Sequence, residues 1–143
     1  KPFLINLKAE NPEITINVTG KSLEILADRK QLRILISNFI ENAKRHGFKN
    51  DIEVPTIWME ITSKDALSIQ VSIRNNGKSL PPDFTIEDFL AKGASSKEDV
   101  GSGFGGFLIG QILSNHKGTV ELVETPHLGI LPHNVEFLIT LPK

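Results

Sequence analysis

Ile14, Ile16 and Val18 alternate with polar neighbours, Thr19-Gly20-Lys21 reads as a turn, and Leu23-Glu24-Ile25-Leu26 resumes the apolar pattern. Residues 13–27 are therefore expected to form a β-hairpin. Asp28 follows as a good N-cap, and Leu32, Leu35, Ile36, Phe39, Ile40 and Ala43 then fall at helical spacing up to a stop at Gly47. This is the strongest helical pattern in the chain. After a polar stretch with Pro55, the runs Ile57–Ile61 and Leu67–Ile73, separated by Ser63-Lys64-Asp65-Ala66, predict a second hairpin within the main sheet. Residues 74–105 hold no long periodic element but contain Pro81-Pro82, Gly93 and the start of a glycine run at Gly101. A connection of that length inside a compact domain is usually functional or mobile. Phe107, Leu108, Ile109, Ile112 and Leu113 mark a second helix that ends near His116–Gly118. Two last strands, Thr119–Val123 and Val135–Leu141, flank a loop with proline and glycine. The order of elements describes a mixed sheet with helices packed on one face, an α+β two-layer sandwich.

Composition narrows the function classes. A chain of 143 residues is one domain's worth, and 39% apolar with 23% charged residues excludes disordered and fibrous classes. Sixteen Lys and Arg against 17 Asp and Glu leave a net charge of −1, so no global basic field points to nucleic acid as a partner. The absence of cysteine removes disulfide frameworks, Cys-based zinc sites and thiol nucleophiles. His127 and His133 have no metal-type partners near them in sequence. No apolar run approaches the roughly 18 residues of a membrane span, and no secretory signal opens the chain. The domain is expected to be soluble, without direct membrane contact. It starts at Lys1 and soon enters apolar sequence, as a piece excised from a longer protein would.

On the first helix, at 100° per residue, the apolar stripe takes one face while Gln31, Asn38, Asn42 and Arg45 fall together along its edge, with His46 beside them. A mid-helix Asn costs about 0.6 kcal/mol relative to Ala, so two of them one turn apart ask for a reason. They are either solvated or bonded to a neighbouring strand, or they aim a carboxamide oxygen at a hard cation such as Mg²⁺.

The run Gly101-Ser102-Gly103-Phe104-Gly105-Gly106 satisfies G-x-G-x-x-G. The polar residues 92–100 before it are not the strand that a dinucleotide fold requires, and Phe107 stands where a Walker A loop needs Lys. What survives is a glycine-rich turn opening a helix, either a hinge or a cradle of backbone N–H groups for an anion such as phosphate. A third signal, Arg74-Asn75-Asn76-Gly77-Lys78-Ser79-Leu80-Pro81, lies at the end of a strand, where Gly77 permits close approach to something flat or large.

In this order and spacing the motifs resemble the catalytic, ATP-binding domain of sensor histidine kinases, within the GHKL superfamily that also holds gyrase and mismatch-repair ATPases. Asn38 through Gly47 is similar to that family's N box, Asn75 through Pro81 to its first glycine box, Phe89 through Lys97 to its F box, and Gly101 through Gly106 to its second glycine box. His116-Lys117-Gly118-Thr119-Val120 and Phe137 through Pro142 match as well, and the resemblance covers the chain from about residue 12.

The resemblance implies a Bergerat-type ATP-binding fold that takes ATP and Mg²⁺. It makes Asn42 the Mg²⁺ ligand, Asn38 and Arg45 phosphate-side groups, and His46 a ring near adenine or ribose. Asn75 would face the adenine amino group, with Gly77 and Leu80 beside the base. Lys97 would be a phosphate cation, and Gly101, Ser102, Gly103, Phe104, Gly105 and Gly106 would wrap the phosphates within a mobile lid over about 83–104. Glu41, just before the Mg²⁺ ligand, would orient or deprotonate an acceptor histidine. Three positions depart from the pattern: Asn75 and Ser79 replace the family's usual Asp and second Gly, and Glu136 precedes Phe137 where Thr or Ser is common. A carboxamide at 75 offers either an oxygen or an NH₂ group, whereas Asp offers only acceptors.

The implied activity is transfer of the γ-phosphoryl group of ATP to a histidine. None of this chain's histidines follows the acceptor pattern, so the partner is a histidine-bearing dimerisation domain elsewhere in the parent, with a response regulator downstream. The domain would be cytoplasmic, whether or not the parent is membrane-anchored. Two rivals are a GHKL-type hydrolytic ATPase, which carries Glu four residues before the Mg²⁺ ligand where this chain has Asn38, and a non-catalytic nucleotide-sensing or docking module.

Overall fold

Asp28 starts the first helix as its side chain predicts. Its Oδ1 accepts the backbone N–H groups of Lys30 (2.9 Å) and Gln31 (3.1 Å), two of the donors that a helix N-terminus leaves without internal partners. In the computed structural model, which describes residues 9–20, 28–48, 54–81, 83–91, 105–123 and 134–143, helix α1 spans Arg29–Asn42. It continues as a π-helical turn over Ala43–Gly47, where the Phe48 N–H reaches back to the Ala43 carbonyl (2.9 Å). The last turn is thus wider than the continuous α-helix expected up to Gly47.

Strands β1 (Thr15–Gly20), β2 (Thr56–Ser63), β3 (Ser68–Asn75), β4 (Thr119–Leu122) and β5 (Val135–Pro142) form one sheet in the order β1-β2-β3-β5-β4. The β2–β3 hairpin forms as expected, with Ile57 opposite Asn75 and Ser63 opposite Ile69. At its turn, Asp65 Oδ1 accepts the Leu67 N–H (2.8 Å) and the Ser68 hydroxyl (2.9 Å), which hold the carboxyl below its ordinary value of 3.8. The hairpin expected over 13–27 is revised in part. Its first arm, β1, pairs in parallel with β2, Thr15 opposite Thr56 and Gly20 opposite Ile61. Gly20, expected in the turn, is the last residue of that strand, with φ of 110°. The second arm lies at residues 21–27, outside the described residues.

Alternation along the strands sends Ile57, Met59, Ile73, Phe137 and Ile139 to the face that packs with Leu35, Phe39 and Ile40 of α1 in one core. Trp58, Glu60, Ser72, Arg74 and Glu136 take the opposite face by the same alternation. There Arg74 Nη2 donates to Glu60 Oε1 (3.0 Å) and its Nε to Glu136 Oε2 (3.1 Å), which also accepts the Ser72 hydroxyl (2.7 Å).

A short helix, α2 (Ile86–Leu90), lies in the stretch where no periodic element is expected. Its signal is a capping box: Thr85 Oγ1 accepts the Asp88 N–H (3.1 Å) and Asp88 Oδ2 accepts the Thr85 N–H (3.0 Å). Helix α3 (Gly105–Asn115) closes with the Gly118 N–H on the Leu113 carbonyl (2.7 Å) and the Lys117 N–H on that of Ser114 (3.1 Å). Lys117 takes the left-handed conformation, φ 56°, that this ending demands. The His116 ring ties the two long helices together. Its Nδ1 lies 2.8 Å from the Ile112 carbonyl and its Nε2 accepts the Asp28 N–H (3.0 Å), so the proton belongs on Nδ1. The result is the expected α+β sandwich with helices on one face. Among the described residues, no helix is long and apolar enough to cross a membrane.

Candidate functional site

The C-terminal part of α1 and the strands beneath it leave a shallow cleft open to solvent. Helix α1 and its π-turn contribute Phe39, Asn42 and Ala43; β2 and β3 contribute Ile57, Ile73 and Asn75. Lys78 and Leu80 come from the loop after β3, and Val135 and Phe137 from β5. The residues that line the slot are apolar except for Asn42, Asn75 and Lys78. Such a shape suits a flat ring oriented by a few polar contacts.

Phe39 and Phe137 line the cleft, and Phe89 packs against both. Phe137 lies 5.1 Å from Phe39 and 4.7 Å from Phe89, ring centre to ring centre, and Phe39 and Phe89 are 5.9 Å apart. Each pair contributes about 0.5–1.5 kcal/mol beyond burial, joining α1, β5 and α2. Phe89, at the head of the F-box segment, therefore anchors α2 to the cleft wall.

The turn after β3 is braced by side chains. Asn75 Oδ1 accepts the Gly77 N–H (2.9 Å), while Asn134 donates its backbone N–H to the Asn75 carbonyl (2.9 Å) and its Nδ2 to the Gly77 carbonyl (2.9 Å). Asn76 Oδ1 accepts the Thr56 N–H (2.9 Å) and its Nδ2 donates to the Val54 carbonyl (3.0 Å), fastening the turn to the start of β2. Asn75 is 8% exposed and Gly77 is buried.

Of the residues singled out in the sequence, Asn42, Asn75 and Leu80 meet in the cleft, and Gly77 lies buried behind Asn75. Asn38 is half-buried one turn earlier and does not line the cleft; Glu41 and Arg45 are exposed and do not line it either. The Glu41 carboxylate pairs with Lys44 (3.4 Å), which also donates to Asn11 Oδ1 (3.3 Å). The His46 and Gly105 side positions, together with Lys97, Gly101, Ser102, Gly103 and Phe104, lie outside what is described. His127 and His133 do too, as does the part of the expected lid over 92–104. Gly106 has a packing reason to be glycine: a Cβ there would overlap the Phe89 backbone carbonyl, so its absence lets α3 approach α2.

Sequence reasoning missed Lys78, Val135, Phe137 and the brace at Asn134. Strand alternation marks Val135 and Phe137 as inward, but only the β3–β5 pairing brings them beside Asn75, with Val135 directly opposite it. The same alternation places Glu136 on the far face, bonded to Arg74 and Ser72. Its departure from the family pattern falls away from the cleft.

Among the described residues no group of three His, Asp or Glu side chains could hold a metal. The Asn42 carboxamide, half-buried at the cleft and without a capping bond, is a hard oxygen donor. It fits an ion such as Mg²⁺ that takes one protein ligand and fills its other positions with water and phosphate oxygens.

Residues 27–143 match the family model of histidine kinase-, DNA gyrase B- and HSP90-like ATPases. The chain is 30% identical over 123 residues to the sensor protein IrlS of Burkholderia pseudomallei, covering 84% of this chain and 25% of that protein. It thus spans a quarter of the length of the curated relative it matches. Among solved structures it is similar to the mycobacterial sensor histidine kinase MprB (TM-score 0.78, 18% identical, 99% of this chain and 89% of that one). It is also similar to the nucleotide-free catalytic domain of histidine kinase ThkA (TM-score 0.72, 20% identical, 98% and 87%). A third likeness is to full-length ShkA in complex with AMPPNP (TM-score 0.71, 21% identical, 97% and 27%). With the fold of these catalytic domains, the boxes in order and a matching family model over most of its length, the chain belongs to the histidine kinase-, DNA gyrase B- and HSP90-like ATPase family.

Proposed function

We propose that this domain binds Mg·ATP in the cleft beneath α1 and delivers the γ-phosphoryl group to a histidine on a separate domain of its parent protein. The parent is a cytoplasmic-facing sensor kinase that signals onward to a response regulator. The observation that carries the reading is the meeting of Asn42 and Asn75, from two boxes far apart in sequence, across an apolar slot. In this reading Ile57, Ile73, Leu80, Val135 and Phe137 enclose the base, and Asn75 meets its polar edge. Asn42 holds Mg²⁺, which supplies charge neutralisation on the phosphates when bound.

In this reading the phosphates lie beyond the slot, by the C-terminal end of α1, and the glycine run from Gly101 to Gly106 is assigned to them. Backbone N–H groups of that run, with Asn38, Arg45 and Lys97, are the groups assigned to stabilise phosphate charge without covalent participation. His46 is assigned to the adenine or ribose by the resemblance alone. The acceptor imidazole nitrogen attacks the γ-phosphorus, the bond to the β-phosphate oxygen breaks, ADP leaves, and the ring's other nitrogen gives up its proton to solvent. Glu41 is exposed one residue before Asn42, where an incoming domain can reach it, and it orients that ring. Asn38 argues against hydrolysis, because a hydrolase needs a carboxylate at that position to activate water.

The test is incubation of the domain with radiolabelled Mg·ATP and the acceptor domain of its own parent. The expected product is acid-labile, base-stable phosphohistidine on the acceptor, with negligible phosphate release in its absence. Rapid multiple turnover without acceptor would instead make the domain a hydrolase.

A further inference from the structure

The last turn of α1 has two ways to close. In a continuous α-helix the Phe48 N–H would reach the carbonyl of Lys44, four residues back; it reaches that of Ala43 instead, five back (2.9 Å). The choice sets direction. One residue of register on a helix is about 100° of rotation, so the wider turn aims the residues after Asn42 differently from an α-turn.

Lys44 lies within that turn and does not line the cleft. Its Nζ donates to Asn11 Oδ1 (3.3 Å) and pairs with the carboxylates of Glu41 (3.4 Å) and Glu13 (3.7 Å). Asn11 is a firm anchor: it is buried, its carbonyl accepts the Ile14 N–H (3.1 Å), and the Thr15 N–H that follows donates to the Pro55 carbonyl (2.9 Å) where β1 begins its pairing with β2. Residues 11–15 are thus fixed to the sheet, and Lys44 ties the turn to them. About three turns earlier on the same side of α1, Arg33 Nη2 holds Glu10 Oε2 (2.6 Å), so the same short segment is gripped at two points along the helix.

We propose that Lys44 is a positioning residue for the phosphate end of the site. By holding the turn on Asn11 and Glu13 it keeps the wider register, and with it the direction in which Arg45 leaves the helix beside Asn42. This rests on the reading of Asn42 and Arg45 as metal-side and phosphate-side groups. Part-exposed ion pairs contribute little to global stability, so loss of the ammonium acts on one turn rather than on the fold. The base end of the cleft, built largely from β2, β3 and β5, does not depend on it.

Lys44→Met keeps the length of the stem and removes the charge; it is compared with Lys44→Arg and with Asn11→Ala. Titrations measure binding of adenosine and of a non-hydrolysable ATP analogue with Mg²⁺, and the nitrogen–carbon coupling across the Phe48 hydrogen bond identifies the carbonyl that accepts it. Lys44→Met is expected to weaken the analogue by about fivefold or more, to change adenosine binding by less than about twofold, and to move the coupling from Ala43 to residue 44. Lys44→Arg should restore analogue binding, and Asn11→Ala should add no further loss once Lys44 is replaced. Equal losses for adenosine and the analogue would show a structural role only and overturn the proposal. So would a folded Lys44→Met domain with unchanged analogue affinity, or with the Phe48 bond still on Ala43. Should Lys44→Met not fold, Asn11→Ala alone decides by the same two ligands and the same coupling. Wild-type protein that binds neither ligand overturns the nucleotide site together with the proposal, whereas the other contrary results leave the site standing.

Discussion

Asn42 sits where the α-helical pattern of α1 gives way to the wider π-turn, its carboxamide at the mouth of the cleft and uncommitted to a helix cap. Because it is half-buried and outside the apolar stripe, Asn42→Ala should change unfolding free energy by no more than about 0.5 kcal/mol. The same substitution should abolish the Mg²⁺ dependence of binding of a non-hydrolysable ATP analogue, measured by calorimetry with and without the metal. Unchanged metal dependence would remove Asn42 from the metal site. Asn42 is legible as chemistry in the sequence because a mid-helix Asn fits poorly with helix propensity, whereas Asn75 is legible only through the order and spacing of the boxes that the chain shares with its family. Lys78, Val135 and Asn134 are not, since nothing in their local sequence shows that the β3–β5 pairing and the loop after β3 gather them around Asn75.

At the scale of elements, the second glycine box and the F box meet in one contact. Gly106, in the first turn of α3, lies against the Phe89 carbonyl of α2, and Phe89 in turn packs on Phe39 and Phe137 at the cleft wall. Gly106→Ala should therefore destabilise the domain by about 1–3 kcal/mol in urea unfolding, because a backbone carbonyl cannot move aside as a flexible side chain can. Unchanged stability with weakened nucleotide binding would show that Gly106 is glycine for the phosphates alone. Helix α1 and the β2–β3 hairpin were readable from period and caps. Helix α2 was overlooked because five residues are too few to display a period, although its Thr85–Asp88 capping box was present in the sequence.

For the molecule as a whole, layer architecture follows from the alternation of apolar residues on the strands and the single apolar stripe on α1. Strand order does not. The parallel pairing of β1 with β2 joins residues about 40 positions apart, and no local pattern encodes it. That pairing helps to fix β2 beside β3, and β3 beside β5, which together with α1 enclose the cleft. The most direct test of the account is titration of a non-hydrolysable ATP analogue with Mg²⁺ into the isotope-labelled domain, followed by amide NMR shifts. The largest changes should fall on Asn42, Asn75, Gly77, Leu80 and Phe137, with those at Asn42 depending on the metal. Saturating analogue that leaves these amides unmoved, or that shifts the Arg74–Glu136 face of the sheet instead, would contradict it.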